Sequence, residues 1–194
     1  MDPVYSFIKK FSDLPDESIE RLKSIATYKK YPDKYLVSTC GIVPEHIYFI
    51  VEGVLRAYIR QESGKEYNKR IYTPVSFAGP LTSILENQPS HICFETLTEC
   101  KLYEIHFETF KELCREDFNI GKLYVKALEY VFIKYEERNL DLMILDAKAR
   151  YLKLIKQIPN IESLIPQYQI AAYLGISAVQ LSRIRRRLQE TALY

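Results

Sequence analysis

The chain holds 194 residues with 27 Lys and Arg against 25 Asp and Glu, a formal charge of +2, and 47% of it is hydrophobic. That balance excludes a disordered polyelectrolyte, a collagen-like fibre and a repeat solenoid, and the length allows one large domain or two small ones with real cores. The longest apolar run near the middle, Ile47 to Val51, is far short of the roughly 20 residues a membrane-spanning helix needs, so no membrane partner is expected.

At the N-terminus Asp2 and Pro3 mix with Lys9 and Lys10 without a continuous apolar stretch, which predicts no secretory signal and a cytoplasmic location. Leu14-Pro15-Asp16-Glu17 then leads into Ile19, Leu22 and Ile25 at a spacing of three, the pattern of a short amphipathic helix with acids in its first turn. Six stretches rich in Tyr, Ile, Val and Phe follow, at 35–39, 47–51, 54–60, 67–72, 93–97 and 101–106, broken by Gly and Pro. They read as strands. In the third, alternation points Leu55, Ala57 and Ile59 inward and Arg56, Tyr58 and Arg60 outward, and Glu62-Ser63-Gly64-Lys65 reads as a hairpin turn. No helix-length crossover separates the strands, so a mainly antiparallel barrel or sandwich is expected. Cys40, Cys93, Cys100 and Cys114 form no C-x-x-C pair and have no His at zinc-ligand spacing. They are read as reduced, mostly buried thiols, and no metal site is expected.

Past Phe107 the pattern turns helical, and from roughly 117 to 146 there is no Pro and one Gly, which predicts one long helix. Tyr124, Leu128, Val131, Tyr135, Arg138, Leu142 and Leu145 step alternately by four and three, a heptad seam with one charged interruption. Such a stripe can pair with its copy in a second chain to make a homodimer. The other reading is that it packs on the chain's own β domain, since about three heptads is short and a charge at a seam position is costly.

From residue 147 onward eight basic residues face two acidic ones, a local charge of +6 against −4 for the rest. That asymmetry suits a polyanion-binding unit on a larger scaffold. Residues 167–186 have the grammar of a helix-turn-helix. Ala171 is small where two helices cross, Gly175 suits a left-handed turn, and Ile170, Leu174, Ile176, Leu181 and Ile184 supply a shared core. Pro166 suits the opening of the first helix, and Ser177 with Gln180 fits a capping box that starts the second near Ala178. Turning Leu181, Ile184 and Leu188 inward leaves Val179, Ser182, Arg183 and Arg186 outward, flanked by Arg185 and Arg187. Arg183 is assigned to a base edge, and Ser177, Gln180, Arg185 and Arg186 to backbone or capping roles. Gln167 and Ala178 complete the candidate DNA-binding set.

This order of parts resembles the Crp/Fnr family of bacterial transcription regulators over nearly the whole chain. The likeness is carried by Ile47-Tyr48-Phe49-Ile50-Val51-Glu52-Gly53-Val54-Leu55-Arg56, by Gly64-Lys65-Glu66 in a hairpin, by Phe77-Ala78-Gly79 and by the terminal motif. Pro166-Gln167-Tyr168, Ile170-Ala171 and Leu181-Ser182-Arg183-Ile184-Arg185 look most like the branch in Bacteroidetes-type bacteria. The resemblance implies an α+β protein: an N-terminal antiparallel β-roll of the cyclic-nucleotide-binding jelly-roll type with flanking helices (1–116), a long dimerisation helix (117–146) and a C-terminal helix-turn-helix domain (147–194). Only six residues follow Leu188, so a full wing is not expected. Implied partners are double-stranded DNA with a palindromic site, a second copy of the chain and RNA polymerase.

Two departures shape the expected chemistry. Members that bind cyclic AMP follow Phe-x-Gly with a Glu for the ribose and an Arg-Ser/Thr-Ala run for the phosphate. Here Pro80 holds the acid's place and Ser90 and His91 hold those of the Arg-Ser pair. A buried phosphate without a cation is expensive, so cyclic AMP is not the expected effector. Gly79, Thr82, Ser83, Ser90 and His91 are kept as the pocket for a small molecule of unknown identity, with no cofactor assigned. No cysteine cluster or His partner marks an iron–sulfur or haem site. Ala178 and Val179 stand where family members often carry Arg and Glu base contacts, so readout would lean on Arg183, thymine-methyl contact and DNA shape. The competing function is a ligand-binding or protein-interaction module whose helix-turn-helix only packs. An enzyme is not expected, because no Gly-rich phosphate loop, G-x-S-x-G or H-E-x-x-H occurs.

Overall fold

Brief strands that cannot bury a face alone combine here into two stacked sheets. The computed structural model describes residue 8 and residues 13–191; the reading of Asp2, Pro3, Lys9 and Lys10 lies outside the described residues. The order is α1 (Asp16–Ser24), β1 (Ala26–Tyr31), β2 (Leu36–Ser38), β3 (His46–Glu52), β4 (Leu55–Arg60), β5 (Glu66–Tyr72), β6 (Ser76–Ala78), α2 (Leu81–Glu86), β7 (Cys93–Thr96), β8 (Cys100–His106), α3 (Phe107–Glu116), α4 (Phe118–Ile144), α5 (Ala147–Gln157), α6 (Ile161–Leu164), α7 (Gln167–Leu174) and α8 (Ala178–Thr191). The sheets run β1-β8-β3-β6 and β2-β7-β4-β5, and every pairing is antiparallel. The chain is an α+β protein with a jelly-roll core.

Alternation along β3 explains its burial. Tyr48 and Ile50 point between the sheets to meet Leu55, Ala57, Phe94 and Leu102. Ile47 points the other way, onto a second core in which Ile19 and Leu22 of α1, Phe107 and Phe110 of α3, and Ile120 and Leu123 of α4 cover the sheet. Asp117 separates the last two helices: its carboxylate accepts from the backbone N–H of Asn119 (2.9 Å) and Ile120 (3.3 Å), capping α4, and from Ser18 Oγ (2.7 Å). A third core joins α5, α6, α7 and α8 through Tyr151, Leu154, Ile161, Ile170, Leu174 and Leu181, and it runs on into Val54 and Ile71 of the roll.

The six expected strands are present, and β1 and β6 join them. β1 carries Thr27, Tyr28, Lys29 and Lys30, all exposed, and β6 spans three residues, so neither shows an apolar alternation. The alternation read into β4 needs correction. Arg56 and Tyr58, expected outward, are 4% and 2% exposed, whereas Ile59 is 41% exposed. The ladder with β5 shifts register between Ala57 and Tyr58, and α7 covers the outer face of this sheet. The cysteine reading is corrected as well: Cys40 and Cys93, with Cα atoms 4.8 Å apart, are disulfide-bonded. They lie 53 positions apart in sequence, and the pairing of β2 with β7, extended by backbone hydrogen bonds of Gly41 (2.8 Å) and Ile42 (2.9 Å) with Ser90, brings them together. Cys100 and Cys114 are free thiols, each pushed up to about 11 by burial.

Gly53, between β3 and β4, has φ +88°, and a Cβ there would collide with the Glu99 carbonyl oxygen and come within 2.7 Å of Cys100 Sγ. Gly53→Ala should therefore lose at least about 2 kcal/mol in urea unfolding, because neither the backbone conformation nor the space admits a side chain; an unchanged midpoint would refute this packing.

Candidate nucleic-acid interface

The helix-turn-helix is built by local rules. Pro166 precedes α7, and Gly175 ends it in the left-handed conformation (φ +71°), letting the Ile176 N–H reach back to the Ala171 carbonyl at 3.1 Å. The capping box forms: the Gln180 N–H donates to Ser177 Oγ (3.2 Å) and the Ser177 N–H donates to Gln180 Oε1 (2.9 Å). Leu181 is fully buried, with Ile184 and Leu188 packed beside it. This orients the rest of α8. Ala178, Val179, Gln180, Ser182, Arg183 and Arg186 are exposed together, as are Ser177 and Gln167 at the adjoining helix starts. Among the described residues no hydrogen bond or ion pair engages Arg183. Arg185 is different: its Nε lies 2.6 Å from Glu162 Oε1, an oxygen that also accepts from the Tyr151 hydroxyl at 2.7 Å, so it braces α6 against α8.

A polar knot that sequence reasoning missed holds this unit to the roll. The buried Arg56 guanidinium donates to Glu95 (2.6 Å), Glu66 (2.7 Å) and Gln169 Oε1 of α7 (3.0 Å), and lies 3.8 Å from the centre of the Tyr58 ring. Asn68 Nδ2 donates to both the carbonyl and the side-chain oxygen of Gln169, each at 2.8 Å. A second tie comes from α4, where Arg138 donates to the Tyr173 carbonyl and stacks 4.0 Å over its ring. Arg150 of α5 donates to the Leu174 carbonyl at 3.1 Å, and Lys153 pairs with Asp141 at 2.7 Å. Read as a flaw in a heptad seam, Arg138 instead secures α7. No local signal marks these residues, because their partners are distant in sequence.

The remaining seam residues divide between two environments. Tyr124 sits against Phe107 (6.3 Å) and Phe110 (5.5 Å), and Leu128 and Val131 face a cavity within the chain. Tyr135, under Lys69 Nζ at 5.0 Å, and Leu142 are nearly half exposed, and Leu145 lies just past the helix end. A neighbouring stripe is bare: Phe118, Val125 and Phe132, seven apart, with Ile133 and Leu140 beside them.

The cavity, about 170 Å³, lies between α4, α1, α3 and the outer face of the β1-β8-β3-β6 sheet, and extends to Arg70 and Tyr72 of β5 in the other sheet. Gly79 of the expected pocket lines it; Thr82, Ser83, Ser90 and His91 do not. Thr82 and Ser83 sit on α2, buried Ser90 closes a turn by hydrogen bonds with the Ile92 backbone (2.9 and 3.0 Å), and His91 is exposed. Among the described residues no cluster of three or more His, Cys, Asp or Glu could hold a metal ion, and no helix is long and apolar enough to cross a membrane.

Comparison with known proteins gives this geometry its relatives. Residues 29–117 match the cyclic nucleotide-binding domain family. The chain is 25% identical over 188 residues to the cAMP-activated global transcriptional regulator CRP of Salmonella typhimurium, covering 92% of this chain and 90% of that protein. Among solved structures it shares its fold with CLP, the c-di-GMP responsive global regulator of Xanthomonas campestris (TM-score 0.73, 17% identity, 92% of this chain and 94% of that one). FixK2 from Bradyrhizobium japonicum is similar too (TM-score 0.72, 19% identity, 87% and 86%).

Glu66 offers a handle on the knot. Burial pushes its carboxyl up, but hydrogen bonds from Arg60 and Arg56 outweigh this and hold it below the ordinary carboxylate value. Its contribution is fully present above the unfolded value of about 4.3 and is lost as pH falls through the lower folded one. Glu66→Gln should lower the melting temperature at neutral pH and flatten its decline in acid; parallel acid slopes for the two proteins would show that the knot is not pH-linked.

Proposed function

We propose that the chain is a Crp/Fnr-type transcription regulator rather than an enzyme, and that it works as a homodimer that places its two α8 helices in successive major grooves of a palindromic DNA site. One observation carries this: the face of α8 bearing Arg183 and Arg186 stays open to solvent while the helix-turn-helix behind it is fully cored, capped and seated on the roll. Seating through α7 leaves α8 free, so the interdomain packing does not favour a module that merely folds. In this reading residues 1–116 sense, 117–146 pair the chains and 147–194 bind DNA. Arg183 reads a base edge; Arg186, the α8 N-terminus with Ser177 and Gln180, and Gln167 hold phosphates; Ala178, Val179 and Ser182 supply close contact, and Arg185 positions the helix.

Pairing is assigned to α4. Its exposed stripe of Phe118, Val125 and Phe132, with Tyr135 and Leu142 at the margin, is apolar surface of the kind a second copy would cover, while Tyr124, Leu128, Val131 and Arg138 face the same chain. Pro80, Ser90 and His91 provide neither the carboxylate nor the guanidinium suited to a ribose and a cyclic phosphate, which supports an effector other than cyclic AMP. A cytoplasmic location and contact with RNA polymerase belong to the same proposal.

Mobility-shift titrations on the DNA upstream of its own gene should give saturable binding whose logarithm falls linearly with that of salt concentration. Arg183→Ala should narrow the gap between specific and random DNA by about tenfold, while Arg186→Ala weakens both alike. Equal small effects, or no binding at low salt, would sink the assignment. Phe132→Glu should convert the dimer to a folded monomer in sedimentation equilibrium; a persistent dimer would move the interface off this stripe.

A further inference from the structure

We propose that the cavity beneath α4 binds a small amphipathic acid, an apolar body of about six to eight carbons bearing one carboxylate. This names the effector's chemical class and, for its regulatory meaning, rests on the regulator reading above. Size is the first argument. At about 170 Å³ the cavity exceeds the roughly 150 Å³ that admits benzene when lined by Leu, Ile and Phe. The lining is the second: Ile19, Leu22, Phe49, Phe77, Leu128 and Val131 offer a water molecule no hydrogen bond and an aliphatic or aromatic group a close fit.

Charge is the third argument and selects the headgroup. Two cationic side chains reach the cavity, Lys23 and Arg70. Lys23 is paired with Glu20 at 2.9 Å. Arg70 lies 5.3 Å from the Tyr72 ring, and among the described residues no carboxylate forms an ion pair with it. An Arg on the wall of an apolar hollow, with no acid among the described residues paired to its fork, suits a carboxylate. The site differs from the one expected at Ser90 and His91: it lies mostly against the outer side of the β1-β8-β3-β6 sheet and meets the core between the sheets at Tyr72 and Ala78, while Tyr48 and Phe94 fill that core. Leu123, Ala127, Leu128 and Val131 make α4 one of its walls, so an occupant touches the helix assigned to pairing.

Calorimetric titration of the full chain with octanoate and with octanamide tests this. Octanoate should saturate at one site per chain and bind about tenfold tighter than the amide. Arg70→Gln should erase that advantage and leave octanamide unchanged, and Ala127→Phe, which fills the cavity from α4, should abolish both. No saturable binding of either probe up to its solubility limit overturns the proposal, and so does an octanoate preference that survives Arg70→Gln. Should Ala127→Phe fail to melt cooperatively, the Arg70→Gln comparison decides alone. Mobility shifts run in parallel separate the two readings: octanoate binding without DNA binding defeats the regulator and spares the cavity, and the reverse defeats the cavity alone.

Discussion

A guanidinium buried between a β-sheet and a helix governs the architecture. Taking Arg56 out of water is expensive, and the cost is offset only because Glu66 and Glu95 surround it and Gln169 and the Tyr58 ring complete its shell. Gln169 belongs to the first helix of the helix-turn-helix, so satisfying the charge and joining the two halves of the molecule are one event. Apolar contact follows the same seam, where Val54 and Ile71 of the roll enter the core around Leu174 and Leu181. Removing Gln169 would leave Asn68 and Arg56 short of an acceptor at a buried interface, which costs more than a surface hydrogen bond.

Helix α4 serves three surfaces. Its first turns pack Ile120 and Leu123 into the core under the sheet, its middle closes the cavity, and its far end sends Arg138 to Tyr173. The periodicity of a 27-residue helix lets these duties occupy one side while Val125 and Phe132 stay bare on another. A stripe wider than a simple seam results.

Local rules were readable from the residues; long-range compensation was not. Six of the eight strands, the Gly64 hairpin, the Gly175 turn and the Ser177–Gln180 cap follow from chemistry within a few positions. Arg56 looked like an outward residue of a half-solvated strand because nothing near it in sequence announces that α7 will cover that face. Tyr124 to Leu145 kept a heptad step, but a step of four and three cannot say which neighbour the stripe meets, and part of it meets Phe107 and Phe110. That Ser90 and His91 hold the places of the Arg-Ser pair carries no information about depth; one closes a turn and the other is exposed. Cys40 and Cys93 were unreadable as a pair because strands distant in sequence bring them together.

The double attachment of Gln169, by carbonyl and by side chain to one asparagine, has a mechanical corollary. Together with Arg138 on Tyr173 it fixes the first helix of the helix-turn-helix to its own roll, so the unit moves with the sheet that carries Asn68. Were two copies to pair through α4 as proposed, the gap between their α8 helices would be governed by how the long helices cross, and a few degrees of change there would be amplified along their length into ångströms.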